Sequence, residues 1–110
     1  MCKLFSLLAI FSIISLVLGE SGKCSWYGQE AEGAVTACGQ IFHMYEMTAA
    51  HKTLPCGTRV KVDANGRSVV VTVTDRGPFV PGRILDLSKG AAQKLGFIDA
   101  GVVSCNVTPI

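Results

Sequence analysis

Apolar and polar residues alternate most cleanly along Arg67–Asp75. Val69, Val71 and Val73 fall on one parity, Thr72 and Thr74 on the other. That pattern predicts a half-buried β-strand with its valines turned inward. Asp75 continues the valine parity, so it is expected at the last pleat, on the rim of the apolar face. Arg76-Gly77-Pro78 ends the strand, because Pro78 has no N–H to give a ladder and Gly77 permits a sharp turn. Thr58–Val62 alternates in the same way. Asn65-Gly66, between the two runs, is the dipeptide of a tight hairpin turn. Cys24–Tyr27, Arg83–Leu87 and Val102–Val107 read as further short strands. Ser88 is a good N-cap, Ala91, Ala92 and Leu95 form a short helical face, and Gly96 suits the residue after the helix. Glu20–Lys23 reads as a polar lead and Thr48–Pro55 as mostly loop. Many short strands with one short helix predict a small, mostly-β barrel.

The first residues do not share this patterning. Met1-Cys2-Lys3 is a short positive start, Leu4–Leu18 is apolar apart from serines, and Val17-Leu18-Gly19 ends the run with small residues. This predicts a secretory signal peptide over 1–19, cut after Gly19, and one domain over 20–110. The apolar run is too short for a comfortable membrane span, and no later stretch is longer. Lys23 before Cys24 argues against a lipid-bearing cysteine. The expected product is secreted, without a membrane span, and a monomer.

Charge excludes one class of partner. With 10 Lys and Arg against 8 Asp and Glu, and Lys3 leaving with the signal, the domain is near neutral. No basic run interleaved with aromatics offers phosphates a surface, so no nucleic-acid partner is expected. Of the 5 cysteines, Cys2 leaves with the signal; Cys24, Cys38, Cys56 and Cys105 remain. An even number in a small exported domain reads as two disulfides, each worth about 2–4 kcal/mol. Four cysteines allow three pairings, and spacing alone does not choose. No Cys/His spacing supports a metal, and no cofactor is expected.

The candidate chemistry centres on Asp75. A carboxylate at the edge of an apolar face is partly desolvated, which raises it towards useful acid strength. The alternative is an aspartate that caps its own turn or pairs with Arg76 or Arg83. Trp26 and Tyr27, at a strand start, read first as core residues.

Six blocks then carry a resemblance: Ser25-Trp-Tyr-Gly28, Thr36-Ala-Cys-Gly39, Thr48–Val60, Asn65–Val71, Asp75-Arg-Gly-Pro-Phe79 and Gly82–Ser88. In this order and spacing, from about Lys23 to Val107, the chain resembles the rare lipoprotein A (RlpA)-like double-psi β-barrel domain. The resemblance implies a six-stranded barrel with a shallow sugar-binding groove. It implies a polysaccharide partner, peptidoglycan or another cell-wall glycan, and lytic-transglycosylase activity in the bacterial members. More distant relatives, the expansins and barwin-like proteins, share the barrel without cleaving glycan, so a non-catalytic glycan binder is the alternative reading. A secreted protease inhibitor is a third. By position, the family aspartate is Asp75 and its histidine is His51. The family glutamate falls on Gln40, and an aspartate falls on His43. Gln40 cannot take a proton at neutral pH, which disfavours two-carboxylate hydrolysis. Transglycosylation asks for one carboxyl group, since the sugar supplies its own attacking hydroxyl. The resemblance thus implies Asp75 as catalytic, with Gln40, His43, His51, Tyr27 and Arg76 as substrate-binding. It also implies the disulfides Cys38–Cys56 and Cys24–Cys105.

Overall fold

A computed structural model describes residues 19–110. The expected signal peptide lies almost wholly outside the described residues. Six strands close into a barrel: β1 (Glu20–Tyr27), β2 (Thr48–Ala50), β3 (Arg59–Ala64), β4 (Arg67–Asp75), β5 (Arg83–Ser88) and β6 (Val102–Pro109). Around the barrel the order is β1-β5-β2-β4-β3-β6. The β1/β5 and β2/β4 pairs are parallel and the others antiparallel. One helix, α1 (Lys89–Leu95), follows β5. Closure leaves the sheet no open edge.

The alternation read from the chain builds the core. Val60, Val62, Val71, Val73, Leu85, Leu87 and Val107 are buried inside the barrel, joined by Ala91, Ala92 and Leu95 of α1. Val60 faces Val71 and Val62 faces Val69 across the β3–β4 hairpin. Its turn places both Asn65 (φ 57°) and Gly66 (φ 72°) in the left-handed region, which is why Asn-Gly serves there. The Asn65 amide then donates to the carbonyls of Leu95 (3.0 Å) and Gly96 (3.3 Å), so the hairpin tip caps the C-terminus of α1. At the other end of α1 the Ser88 hydroxyl accepts from the Ala91 amide.

Two elements depart from the sequence reading. Glu20–Lys23 is not a polar lead but the first half of β1. Lys23 lies against Ser104 and Ser21 against Asn106, so the polar side chains form cross-strand pairs on the outer face. Thr48–Ala50 is not loop but β2, a strand of three residues between β5 and β4. It is too short to show alternation, and its alanines fit where neighbours close in from both sides.

Candidate active site

The face that matters is the one turned away from the valines. Leu85 and Leu87 point into the core, so Asp86 between them points out. Asp86 is registered with Ser25 on one side and Ala50 on the other. The sequence reading placed Asp75 on the valine face, and the register corrects this. Ala49 pairs with Val73, but Ala50 pairs with Asp75, so β4 carries an extra residue at Thr74. The slip turns Asp75 onto the face of Ala50 and Asp86. Re-aiming a side chain beside a site is a common use of such a bulge. Tyr27 belongs to the same face, two residues beyond Ser25, while Trp26 packs on the core and donates to the Ile98 carbonyl.

Residues 28–47 cover this face. Phe42 is buried and stacks on Tyr27 with ring centroids 4.4 Å apart. The covering segment is itself a small hairpin, with Val35 bridged to Ile41. It is seated on α1: the Gly90 amide donates to the Met44 carbonyl, and a Cβ on Gly90 would lie 2.6 Å from the Tyr45 carbonyl oxygen. Only glycine lets the two backbones approach so closely.

Three donors converge on Asp75. Its Oδ1 accepts from the amides of Ala37 and Arg76, each at 2.9 Å, and its Oδ2 accepts from the Tyr27 hydroxyl at 3.3 Å. The Tyr27 hydroxyl is pushed well above its ordinary value, first by burial and then by the charges of Asp75 and Asp86, so it remains a donor. Asp86 is the residue the sequence reading missed. Burial pushes its carboxyl up to about 6, against the opposing hydrogen bond from Ser25 and the charge of Arg83; Glu30 and Asp75 push the same way as burial. A carboxyl that holds its proton up to about pH 6, well above the ordinary aspartate range, is suited to a general acid. The alternation of Arg83–Leu87 was the signal that could have found it.

The other predicted residues divide. Gln40 and His43 line a cavity of about 190 Å³ together with Ile41, Phe42, Glu46, Thr48 and Thr74, the residue before Asp75. His43 is exposed, and its Nδ1 lies 3.0 Å from Glu32. Glu32 also accepts from the Met44 amide, and that bond first, then His43, holds its carboxyl below the ordinary value. His51 does not line that cavity. Its Nδ1 accepts from the amides of Thr53 and Leu54, and its Nε2 faces the Glu20 carboxylate at 2.5 Å. With both nitrogens engaged, the buried ring braces a turn. Arg76 does not clamp Asp75: its guanidinium donates to the carbonyls of His51 (3.0 Å) and Leu54 (2.6 Å) and reaches Cys56 Sγ at 3.5 Å. The disulfides join Cys24 to Cys105 and Cys38 to Cys56. A larger trough of about 740 Å³, lined by Lys23, Asp63, Arg67 and Asn106 among others, lies over the hairpin tip, away from these aspartates. Among the described residues no cluster of three or more His, Cys, Asp or Glu has the arrangement of a metal site.

Comparison with known proteins agrees with this architecture. The family model described as lytic transglycolase matches residues 19–107. The endolytic peptidoglycan transglycosylase RlpA of Vibrio cholerae is 54% identical over 93 residues, covering 83% of this chain and 35% of that protein. The enzyme of the same name from Pseudomonas aeruginosa PAO1 is 48% identical over 91 residues, covering 81% of this chain and 27% of that protein. The chain therefore spans about a third of the length of these relatives. Among solved structures, the Streptomyces papain inhibitor superposes with TM-score 0.70 at 29% identity, covering 84% of this chain and 94% of that one. A Clavibacter michiganensis expansin superposes with TM-score 0.70 at 24% identity, covering 84% and 50%, which speaks to the fold. With the family match spanning the whole barrel and relatives about half identical across it, the chain belongs to the lytic transglycolase family of double-psi β-barrels.

Proposed function

We propose that this domain is exported and cleaves peptidoglycan glycan strands by lytic transglycosylation, with Asp86 and Asp75 as its two acidic groups. One observation carries the reading: Asp75, Asp86 and Tyr27 meet on one partly buried face, in a chain about half identical to enzymes that perform this reaction. In the proposed step Asp86 gives its proton to the glycosidic oxygen as that bond to C1 breaks. The C6 hydroxyl of the same sugar then bonds to C1, and its proton returns to Asp86. No water enters, and an anhydro-sugar end forms. Asp75, oriented by Ala37, Arg76 and Tyr27, supplies the negative charge that faces the developing cation. The intramolecular nucleophile is worth roughly 7–11 kcal/mol in favourable geometry. This route has no need of an acid at Gln40, whose amide would hydrogen-bond substrate from the cavity wall it lines.

The test is digestion of peptide-free glycan strands, read as anhydro-muramic ends. Wild type is expected to produce them, with Asp86→Asn and Asp75→Asn each down by about 10²-fold or more. No product from wild type, alongside retained pelleting with insoluble glycan, would favour the non-catalytic binder suggested by Gln40. Inhibition of papain with neither product nor pelleting would favour the inhibitor reading, which the Streptomyces protein motivates.

A further inference from the structure

The Cys38–Cys56 bridge lies across the end of β4, where Asp75 emerges. On one side the Cys38 amide donates to the Thr74 carbonyl (3.4 Å), and its neighbour Ala37 donates to Asp75 Oδ1 (2.9 Å). On the other side Gly57, next to Cys56, donates to the Val73 carbonyl (2.8 Å), and the Arg76 guanidinium reaches Cys56 Sγ. The two half-cystines therefore sit beside the groups that grip three successive residues of the strand end. The tip that carries Ala37 is otherwise tied to itself: Thr36 donates to the Gln40 carbonyl, Gly39 to the Thr36 carbonyl, and Gln40 to the Thr36 hydroxyl.

The two disulfides differ in exposure. Cys24 and Cys105 are 0% and 5% accessible, whereas Cys56 is exposed and Cys38 half-buried. Thiol–disulfide exchange requires a thiolate to reach a sulfur, so access separates the two bridges.

We propose that Cys38 and Cys56 are positioning residues for Asp75, and that a small dithiol opens their bridge selectively and slows the enzyme. The dithiol passes its two hydrogens to Cys38 and Cys56 and leaves as its own disulfide; Cys24–Cys105 stays closed. The tip then loses its covalent tie, and the Ala37 amide no longer stays at the Asp75 oxygen. The effect on rate rests on the function proposed above; the effect on Asp75 does not.

The experiment uses the whole domain and dithiothreitol. After mild treatment and alkylation, peptide mapping is expected to find label on Cys38 and Cys56 and none on Cys24 or Cys105. Label on Cys24 and Cys105 at the same dose would overturn the selectivity. In Cys38→Ser/Cys56→Ser, the Ala37 amide is expected to exchange about tenfold faster, and the Asp75 carboxyl carbon to move in the NMR spectrum. An unchanged Ala37 rate and Asp75 resonance would overturn the positioning role, whatever the domain does to glycan. On peptide-free glycan strands the same variant is expected to lose tenfold to about a hundredfold in kcat, with KM within about twofold. Unchanged kcat in an active wild type would also overturn the proposal. Should the double variant not fold, the same spectra are read on the selectively reduced, alkylated wild type. Collapse of its circular dichroism would show a global staple and overturn it.

Discussion

At the scale of single residues, Asp86 is a group that the fold holds against its own stability. Its carboxyl is raised to about 6 from 3.8, so between those values the folded chain binds the proton more firmly than the unfolded chain. That contribution is complete at low pH and is lost as pH rises through about 6. The full difference corresponds to at most about 3 kcal/mol, and screening by water at a partly exposed side chain brings it to about 1 kcal/mol. Asp86→Asn is therefore expected to be more stable than wild type at pH 8 by about that amount, and no more stable at pH 4, by urea unfolding. The same substitution removes the proposed acid, so stability and activity are expected to move in opposite directions. In wild type, kcat is expected to fall as pH rises above about 6, because the acid form of Asp86 disappears. Tyr27→Phe keeps the stack on Phe42 but removes the donor to Asp75; unfolding is expected to change by under about 1 kcal/mol, while kcat falls. Not all of this is legible in the chain. Asp75 is marked by its block and Asp86 by its place between two leucines. The direction of Asp75 is not, because an extra residue at Thr74 is set by the partner strand. The raised pKa of Asp86 is not, because its burial is set by tertiary packing rather than by neighbours in sequence.

At the scale of elements, two side chains hold more backbone than their positions suggest. His51 accepts two turn amides while Arg76 takes the carbonyls of His51 and Leu54, so the 51–54 turn is gripped from both sides. His51→Ala leaves two donors without a partner and is expected to cost roughly 2–4 kcal/mol in urea unfolding. Glu20→Ala, at the half-exposed end of the same chain of contacts, is expected to cost under about 1 kcal/mol. Asn65→Ala removes both the favoured turn residue and the cap on α1, and is expected to lower stability by about 1–2 kcal/mol. The hairpin and helix were open to sequence reasoning because their signals are local: Asn65-Gly66 fixes a turn, and Ser88 and Gly96 fix a helix. β2 and the start of β1 were closed to it. Neither carries an alternation of its own, and both exist because a neighbouring strand offers them a ladder.

At the scale of the whole molecule, closure and cross-linking act together. Cys24–Cys105 joins the first strand to the last across a sequence separation of 81, so opening it frees nearly the whole chain. Replacing both cysteines by alanine is expected to cost about 4–5 kcal/mol of unfolding free energy. The Cys38–Cys56 separation of 18 corresponds to about 3 kcal/mol on the same chain-entropy argument. Parallel urea titrations of the two double variants check the order. The barrel leaves another mark: Glu20 stands opposite Val107 on adjacent antiparallel strands. The polypeptide thus enters and leaves the barrel on neighbouring strands, with Glu20 and Val107 about 5 Å apart. A module with such a doorway can be spliced into a surface loop of a host without stretching it. Equally, its ends can be sewn together and a fresh opening cut at an exposed turn, leaving the acidic face intact.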